Sequence, residues 1–193
     1  MSDEDKMRFG EAIAEIRKDT DCTWTDLWWN SSQIIVSVPD WYWDGYRAEW
    51  RLSDRKFDSW EVKDASLYLP PTFTALGCSG LNGGNETWVG WDLDVKHGGT
   101  CYQTTQDAIQ DARQIRCFLQ GHAEIRLSKS GVGVHVRHKF EAPQVAGRAA
   151  RFAKAIANKL NLKADPSALG RQCMWLWVKE PTAQSFQLIE PHI

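Results

Sequence analysis

Two aspartates stand two positions apart in the apolar stretch WVGWDLDVKHGG, residues 88–99. Alternate residues of a β-strand face the same side, so Asp92 and Asp94 would share one face of a strand whose other face is buried. Two carboxylates held this close repel each other unless a cation lies between them. Mg²⁺ and Mn²⁺ prefer oxygen ligands, and the pair therefore predicts a site for one of these metals. The alternative, an exposed edge strand, is disfavoured by the apolar residues on either side.

A third carboxylate would complete a two-metal site. Asp165, in the stretch NLKADPSALGRQ, lies between a predicted helix and the last apolar strand, which would border the same face. The alternative for Asp165 is an ordinary turn before a proline. We predict that Asp92, Asp94 and Asp165 are the metal ligands and the catalytic residues.

The hairpin SKSGVGVH, residues 128–135, combines small residues with hydrogen-bond donors. Its glycines would let a bound group approach the backbone, and its polar side chains would donate to phosphate oxygens, which is how a polyphosphate is held. The predicted phosphate contacts are Arg126, Lys129, Ser130, Gly131, Gly133, His135 and Arg171, with Arg137 as a further candidate, and Ser128 or Lys129 is an alternative to Ser130. For the histidine the alternative is a packed side chain, and for the arginines it is a solvated surface.

Hydrophobic periodicity predicts the elements that position these residues. They are a strand over 88–95, a helix from Thr104 or Thr105 to Gly121, strands over 123–128 and 132–136, a helix opened by Pro143, and a strand over 173–178. This order is β-α-β-β-α-β, the ferredoxin-like or RRM-like arrangement. Its first and third strands are neighbours, so Asp92 and Asp94 would lie beside His135 on a face that the helices leave open.

The first half of the chain reads less clearly. A helix is predicted over 3–18 and a strand over 33–38, and most of the 11 tryptophans fall between Trp24 and Trp60. Most of these rings would pack in a core, and a minority could stack on nucleobases. We expect an α+β fold in one two-lobed catalytic domain, residues 1–193. Residues 1–87 would form a smaller tryptophan-rich α/β lobe, and residues 88–180 the RRM-like catalytic lobe.

Composition restricts the class of protein. No apolar run is long enough to span a membrane, and the acidic start MSDEDKMRFG has no signal-peptide core. The five cysteines include no CxxC pair, which is typical of reduced thiols in a cytoplasmic protein. The candidate zinc ligands Cys78, His97, Cys101, Cys117 and His122 lack the spacing of a structural zinc site, so zinc is not expected. The net charge of −2 combines an acidic first half with a basic second half, which suits either a phosphate-bearing partner or an ordinary solvated surface.

Three stretches carry a resemblance to a known family. WDLDVK resembles the first motif of the archaeo-eukaryotic primase superfamily (the primase-polymerases), SGVGVH resembles the second, and ADPSALGRQCMWLW resembles the third. The resemblance covers residues 88–178 and implies template-directed nucleotidyl transfer, as DNA primase, DNA polymerase or both. The partners that it implies are a single-stranded DNA template, a primer or initiating nucleotide, nucleoside triphosphates, and a helicase or another replication protein. The chain would be either a stand-alone enzyme or an excised catalytic domain.

Two other functions remain open. In a metal-dependent nuclease the aspartates would be followed by a lysine, Lys96, that activates water, but the hairpin would have no triphosphate to hold. In a single-stranded nucleic-acid-binding module, an RRM-like sheet would stack bases on central aromatic residues. The predicted face has Asp92, Asp94 and His135 at those positions instead, which favours the polymerase.

Overall fold

The computed structural model describes residues 34–37, 41–44, 47, 49–52, 60–62, 73–79, 81–82, 85–95, 102–162 and 173–193. The chain divides into two compact units, residues 1–79 with 175–180 and residues 80–174 with 181–193. The second unit therefore starts before the predicted lobe boundary at residue 88 and takes in the segment 181–193. No helix among the described residues is both long and apolar enough to cross a membrane.

Eleven strands and two helices are found in the described ranges. They are β1 Ile34–Ser37, β2 Trp41–Asp44, β3 Glu49–Leu52, β4 Trp60–Val62, β5 Ala75–Ser79, β6 Leu81–Asn82, β7 Asn85–Leu93, α1 Thr105–Phe118, β8 Glu124–Leu127, β9 Val134–Val145, α2 Arg148–Leu160, β10 Cys173–Val178 and β11 Leu188–Glu190. The fold class is α+β, with antiparallel strand pairing, as predicted.

The first unit contains the strand predicted over 33–38, which forms β1. This strand pairs antiparallel with both β4 and β5, and the four-stranded sheet has the order β10-β5-β1-β4. A separate hairpin joins β2 to β3. The helix predicted over 3–18 lies outside the described residues.

The second unit holds the predicted site on a five-stranded sheet of order β11-β8-β9-β7-β6. Here β9 lies between β7 and β8 and pairs antiparallel with both, which is the neighbourhood expected from the order of elements. The prediction that residues 173–178 form the fourth strand of this sheet is wrong. These residues form β10, which is hydrogen-bonded to β5 in the other sheet, while β11 covers the outer edge of β8.

The predicted start of the second helix, α2, is also wrong. Pro143 was expected to open a helix, but it lies inside β9, and α2 begins only at Arg148. The long β9 pairs with β7 from Leu93 back to Asn85, and the register shifts between Glu86 and Trp88. The partners on β9 there are Gln144 and Lys139, so Pro143 falls in the irregular stretch, where its missing N–H costs no ladder hydrogen bond.

The two helices cover one face of this sheet. Thr104 caps α1 by accepting a hydrogen bond from the backbone N–H of Asp107, as the sequence predicts. Trp91 is fully buried beneath α2, and its indole N–H donates to the backbone carbonyl of Ala153. The apolar core between helices and sheet includes Leu93, Ala108, Ala112, Ile115, Ile125, Val134, Val136 and Ile156.

The other face of the sheet was expected to be open, and this expectation is wrong. Its polar side chains are almost completely buried: Glu124, Arg126, Ser128, His135 and Arg137 are each less than a tenth exposed. We call this set of residues, together with Asp92, the polar layer. Burial of charged groups is costly unless they are paired, and two pairs are found within the layer: Arg126 with Glu124 and His135 with Asp92. The predicted site therefore lies beside a buried ion pair.

Candidate active site

The strand register brings Asp92 directly opposite His135. Asp92 on β7 is the Cα partner of His135 on β9, and His135 is in turn the partner of Arg126 on β8. The imidazole Nε2 of His135 lies 3.4 Å from Asp92 Oδ1. The histidine side chain is 2% exposed and the aspartate side chain 29%, so the carboxylate is the member of the pair that solvent can reach.

Electrostatics keep Asp92 ionised. Burial raises the pKa of this carboxyl, but the interaction with His135 and the charge of Lys129 together outweigh burial, and the pKa falls below its ordinary value of 3.8. An ionised carboxylate near neutral pH is the form that binds a divalent cation. The hairpin lies close to the strand that carries Asp92, since a Cβ atom at Gly133 would lie 3.4 Å from Leu93 O.

The hairpin between β8 and β9 is tightly held. Ser128 N–H donates to Gly133 O over 2.7 Å, and Gly131 N–H donates to Ser128 O over 2.9 Å. Gly131 has φ +75°, in the left-handed region that favours glycine, and a Cβ atom there would lie 2.7 Å from Gln184 Cβ. The loop geometry and the neighbouring segment therefore both require glycine at this position.

Three successive backbone amides of this hairpin already have acceptors within it. Gly131 N–H bonds to a backbone carbonyl, Val132 N–H donates to Ser130 Oγ, and Gly133 N–H donates to Ser128 Oγ. Because these donors are used inside the loop, a bound phosphate would meet side chains instead. The candidates are the ammonium of Lys129 and the hydroxyl of Ser130, which is exposed and lies 3.0 Å from Ser128 Oγ.

Arg126 is a structural member of the site. Its Nε donates to Glu124 Oε1 over 2.7 Å and its Nη1 donates to Phe186 O over 3.1 Å, and both charged side chains are almost fully buried. A buried and paired guanidinium holds its neighbours in place more readily than it binds an incoming anion. Arg126 was predicted to contact a phosphate, but its side chain already has two partners, and one of them is a carboxylate.

The metal-binding prediction involves both described and undescribed residues. Asp94 lies just past the end of β7 and is exposed, while Asp165 and Arg171 lie outside the described residues. Mg²⁺ is commonly bound through one or two carboxylates plus substrate phosphates and waters. Asp92 and Asp94 fit that donor set. No group of three or more His, Cys, Asp or Glu side chains that could hold a metal occurs in the described ranges.

The expectation that zinc is not bound stays a prediction. His97 and Cys101 lie outside the described residues, and Cys117 is an exposed free thiol on α1. The free thiol of Cys117 is consistent with the expectation that the cysteines are reduced.

Three features of the site were missed by sequence reasoning. Glu124 neutralises Arg126, and its position two residues before the arginine in a strand was the available signal, because both then share a face. Residues 182–186 contact the hairpin, and Ser185 Oγ donates to Lys129 O over 2.6 Å. No local sequence pattern predicts this contact. Thr105 Oγ1 donates to Val132 O over 2.8 Å and ties the start of α1 to the same hairpin.

Comparison of this chain with models of protein families, with curated proteins and with solved structures gave no match. The case for a function accordingly rests on the residues and geometry described above. The central element of that geometry is an ionised aspartate beside a buried histidine, next to a rigid hairpin that carries a lysine and a serine.

Proposed function

We propose that this protein is a template-directed nucleotidyltransferase, a DNA primase or DNA polymerase that adds nucleoside triphosphates on a single-stranded template. The observation that carries the proposal is the pairing of Asp92 with His135 across neighbouring strands, beside the Lys129–Gly133 hairpin. The resemblance of three stretches to primase-polymerase motifs supports the same function. We further propose that the second unit is the RRM-like catalytic lobe of this family, with β6 and β11 at the sheet edges.

Asp92 and Asp94 would hold Mg²⁺ or Mn²⁺, with Asp165 as the third ligand. The metal would neutralise the charge of the triphosphate and of the transition state. Lys129 and Ser130 would contact the triphosphate from the hairpin. His135 is 2% exposed and has Nε2 toward Asp92, so it would donate a hydrogen bond to a phosphate oxygen only when the Asp92 carboxylate turns to the metal. Arg126 and Glu124 would act as positioning residues, because their ion pair lies on β8, the strand that pairs with β9 and places Arg126 opposite His135.

A direct assay tests this proposal. The protein is incubated with single-stranded template, labelled nucleotides and Mn²⁺, with and without a primer, and the products are separated on a gel. Products that depend on the template and are longer than the primer are expected, and Asp92→Asn should abolish them. Shortening of the labelled template would instead identify a nuclease. Binding of the template with no change in its length would identify a binding module.

Thermal unfolding separates the same functions. A nucleotidyltransferase should be stabilised by Mn²⁺ and a nucleoside triphosphate together more than by either alone, because the triphosphate completes the coordination of the metal. The melting temperature of a binding module should change neither with Mn²⁺ nor with the nucleoside triphosphate. Lys129→Ala should reduce this joint stabilisation, whereas Lys139→Ala, an exposed lysine on the same strand pair, should not.

A further inference from the structure

A second concave surface lies on the helix-covered side of the sheet, between the end of β9 and the start of α2. Its cavity of about 550 Å³ is lined by His138, Phe140, Gln144, Arg148, Arg151 and Phe152. This volume is in the range of cavities that bind small molecules, 300–1,000 Å³. Alternation along β9 places His138 and Phe140 on the face opposite to His135, so this groove is separate from the candidate active site.

Three rings form the wall of the groove. Phe140 meets Phe152 edge-on, with centroids 5.9 Å apart and planes inclined by 67°, and it meets His138 at 5.5 Å and 89°. His138 and Phe152 lie 6.0 Å apart with planes inclined by 32°. All three side chains are only partly buried. A planar ring of a ligand could therefore stack on or against them, a contact that every nucleobase can make.

Two guanidinium groups border these rings. Arg148 and Arg151 are exposed, and within the described ranges neither forms a salt bridge with a carboxylate. Arg148 Nη1 lies 3.5 Å from Gln144 Oε1. The nearby Glu86 carboxylate is buried and accepts hydrogen bonds from the backbone N–H groups of Gly147 and Ala149. The negative charge at this end of α2 is thus directed at the helix terminus, and both arginines remain available to an anion.

We propose that this groove binds one nucleotide unit of a single-stranded nucleic acid, with the base against the three rings and the phosphate on Arg148 and Arg151. Aromatic rings beside guanidinium groups are the combination that sequence-tolerant single-strand binding uses. The proposal goes beyond nucleotide incorporation, since it concerns a different face of the sheet and needs no metal. It would give the protein a second contact with a strand, away from the aspartates.

Charge reversal with a matched control tests the role of the arginines. Binding of a labelled oligothymidylate is measured by fluorescence anisotropy for Arg151→Glu and for Lys154→Glu, two exposed cations of α2 of which only Arg151 lines the groove. We expect Arg151→Glu to weaken binding about tenfold, and Arg151→Ala to reduce the salt slope by about 0.7. Equal weakening by the lysine variant would overturn the proposal in favour of diffuse attraction to the helix.

Photocrosslinking locates the base. An oligonucleotide with 5-bromodeoxyuridine is irradiated with the protein, which is then digested with trypsin and analysed by mass spectrometry. The expected adduct is in the peptide 138–139, in the peptide 140–148 or in the peptide that begins at Phe152. Adducts confined to other peptides would overturn the proposal. Because the experiment reads contact and not incorporation, its result is independent of whether the protein is a nucleotidyltransferase.

Removal of a ring gives the third test. Phe140→Leu keeps an aliphatic side chain in a position that is only partly buried, and it should weaken oligonucleotide binding by roughly 5- to 150-fold while the melting temperature is monitored separately. Binding unchanged in a folded Phe140→Leu protein would refute stacking. Deoxythymidine monophosphate is the competing probe. If it displaces the strand at an equal concentration of nucleotide units, the ligand is a free nucleotide and the strand proposal fails.

Discussion

Replacing Asp92 by asparagine tests the candidate active site most directly. The change is almost isosteric, and it removes the charge that the structure places 3.4 Å from His135 Nε2. It should abolish nucleotide incorporation, because a carboxamide does not hold Mg²⁺ or Mn²⁺ as a carboxylate does. The sequence alone suggested that the loss would also relieve repulsion between the two aspartates. The structure predicts the opposite effect on stability, since Asp92 has a positive neighbour in the folded protein.

The size of this effect can be estimated from the contact. Two unit charges 3.4 Å apart attract each other by roughly 5 kcal/mol at an effective dielectric constant of about 20. Desolvation of the two partly or fully buried groups offsets most of this attraction. We therefore expect Asp92→Asn to lower the free energy of unfolding by about 1–2 kcal/mol near neutral pH.

The pH dependence gives a second signature. The folded-state pKa of Asp92 lies below its ordinary value of 3.8, so the stabilisation is fully present above pH 3.8 and is lost as the pH falls through the lower folded-state value. Urea unfolding of wild type and variant between pH 3 and pH 7 should show a difference that shrinks toward the acid end. Asp94→Asn is the control: its side chain is exposed, so it should cost less stability while also abolishing incorporation.

Two results would refute this reasoning. Incorporation by Asp92→Asn within about tenfold of wild type, only ~1.4 kcal/mol on the barrier, would remove the residue from the metal site. A stability difference that stayed constant from pH 3 to pH 7 would show that the carboxylate charge does not stabilise the fold.

Three further predictions concern other parts of the second unit. His135→Ala should reduce incorporation efficiency by about 10- to 150-fold, a lost charged hydrogen bond, with template affinity nearly unchanged in a filter-binding assay; loss of Mn²⁺ binding without nucleotide would instead make the histidine a metal ligand. Glu86→Gln should cost about 1–2 kcal/mol in urea unfolding, because its buried carboxylate accepts two backbone hydrogen bonds at the start of α2; an unchanged midpoint would show that one oxygen suffices. Gly131→Ala should lower the melting temperature, since its φ of +75° and the nearby Gln184 disfavour a Cβ atom; a melting temperature equal to that of wild type would mean that the loop rearranges freely.

Local patterns in the sequence were sufficient to predict the buried positions and one helix cap of the second unit. The alternation around Asp92 placed Trp91 and Leu93 in the core, where both are fully buried. Thr104 or Thr105 was predicted as the helix cap from the position of a threonine just before the apolar helical pattern, and Thr104 is the one that accepts a hydrogen bond from the backbone N–H of Asp107. These features depend on residues that are close in the chain, so periodicity and capping rules describe them.

Only the tertiary structure decided the rest, since it depends on which distant segments meet. The end of β9 was misjudged because pairing with β7 extends the strand past a proline that local rules assign to a helix start. The placement of β10 beside β5 was likewise invisible, because an apolar strand does not specify its partner. The polar layer is the clearest case. Arg126 was predicted as a phosphate contact, with a solvated surface as the alternative, and neither reading includes the buried pairing with Glu124 that makes its burial tolerable.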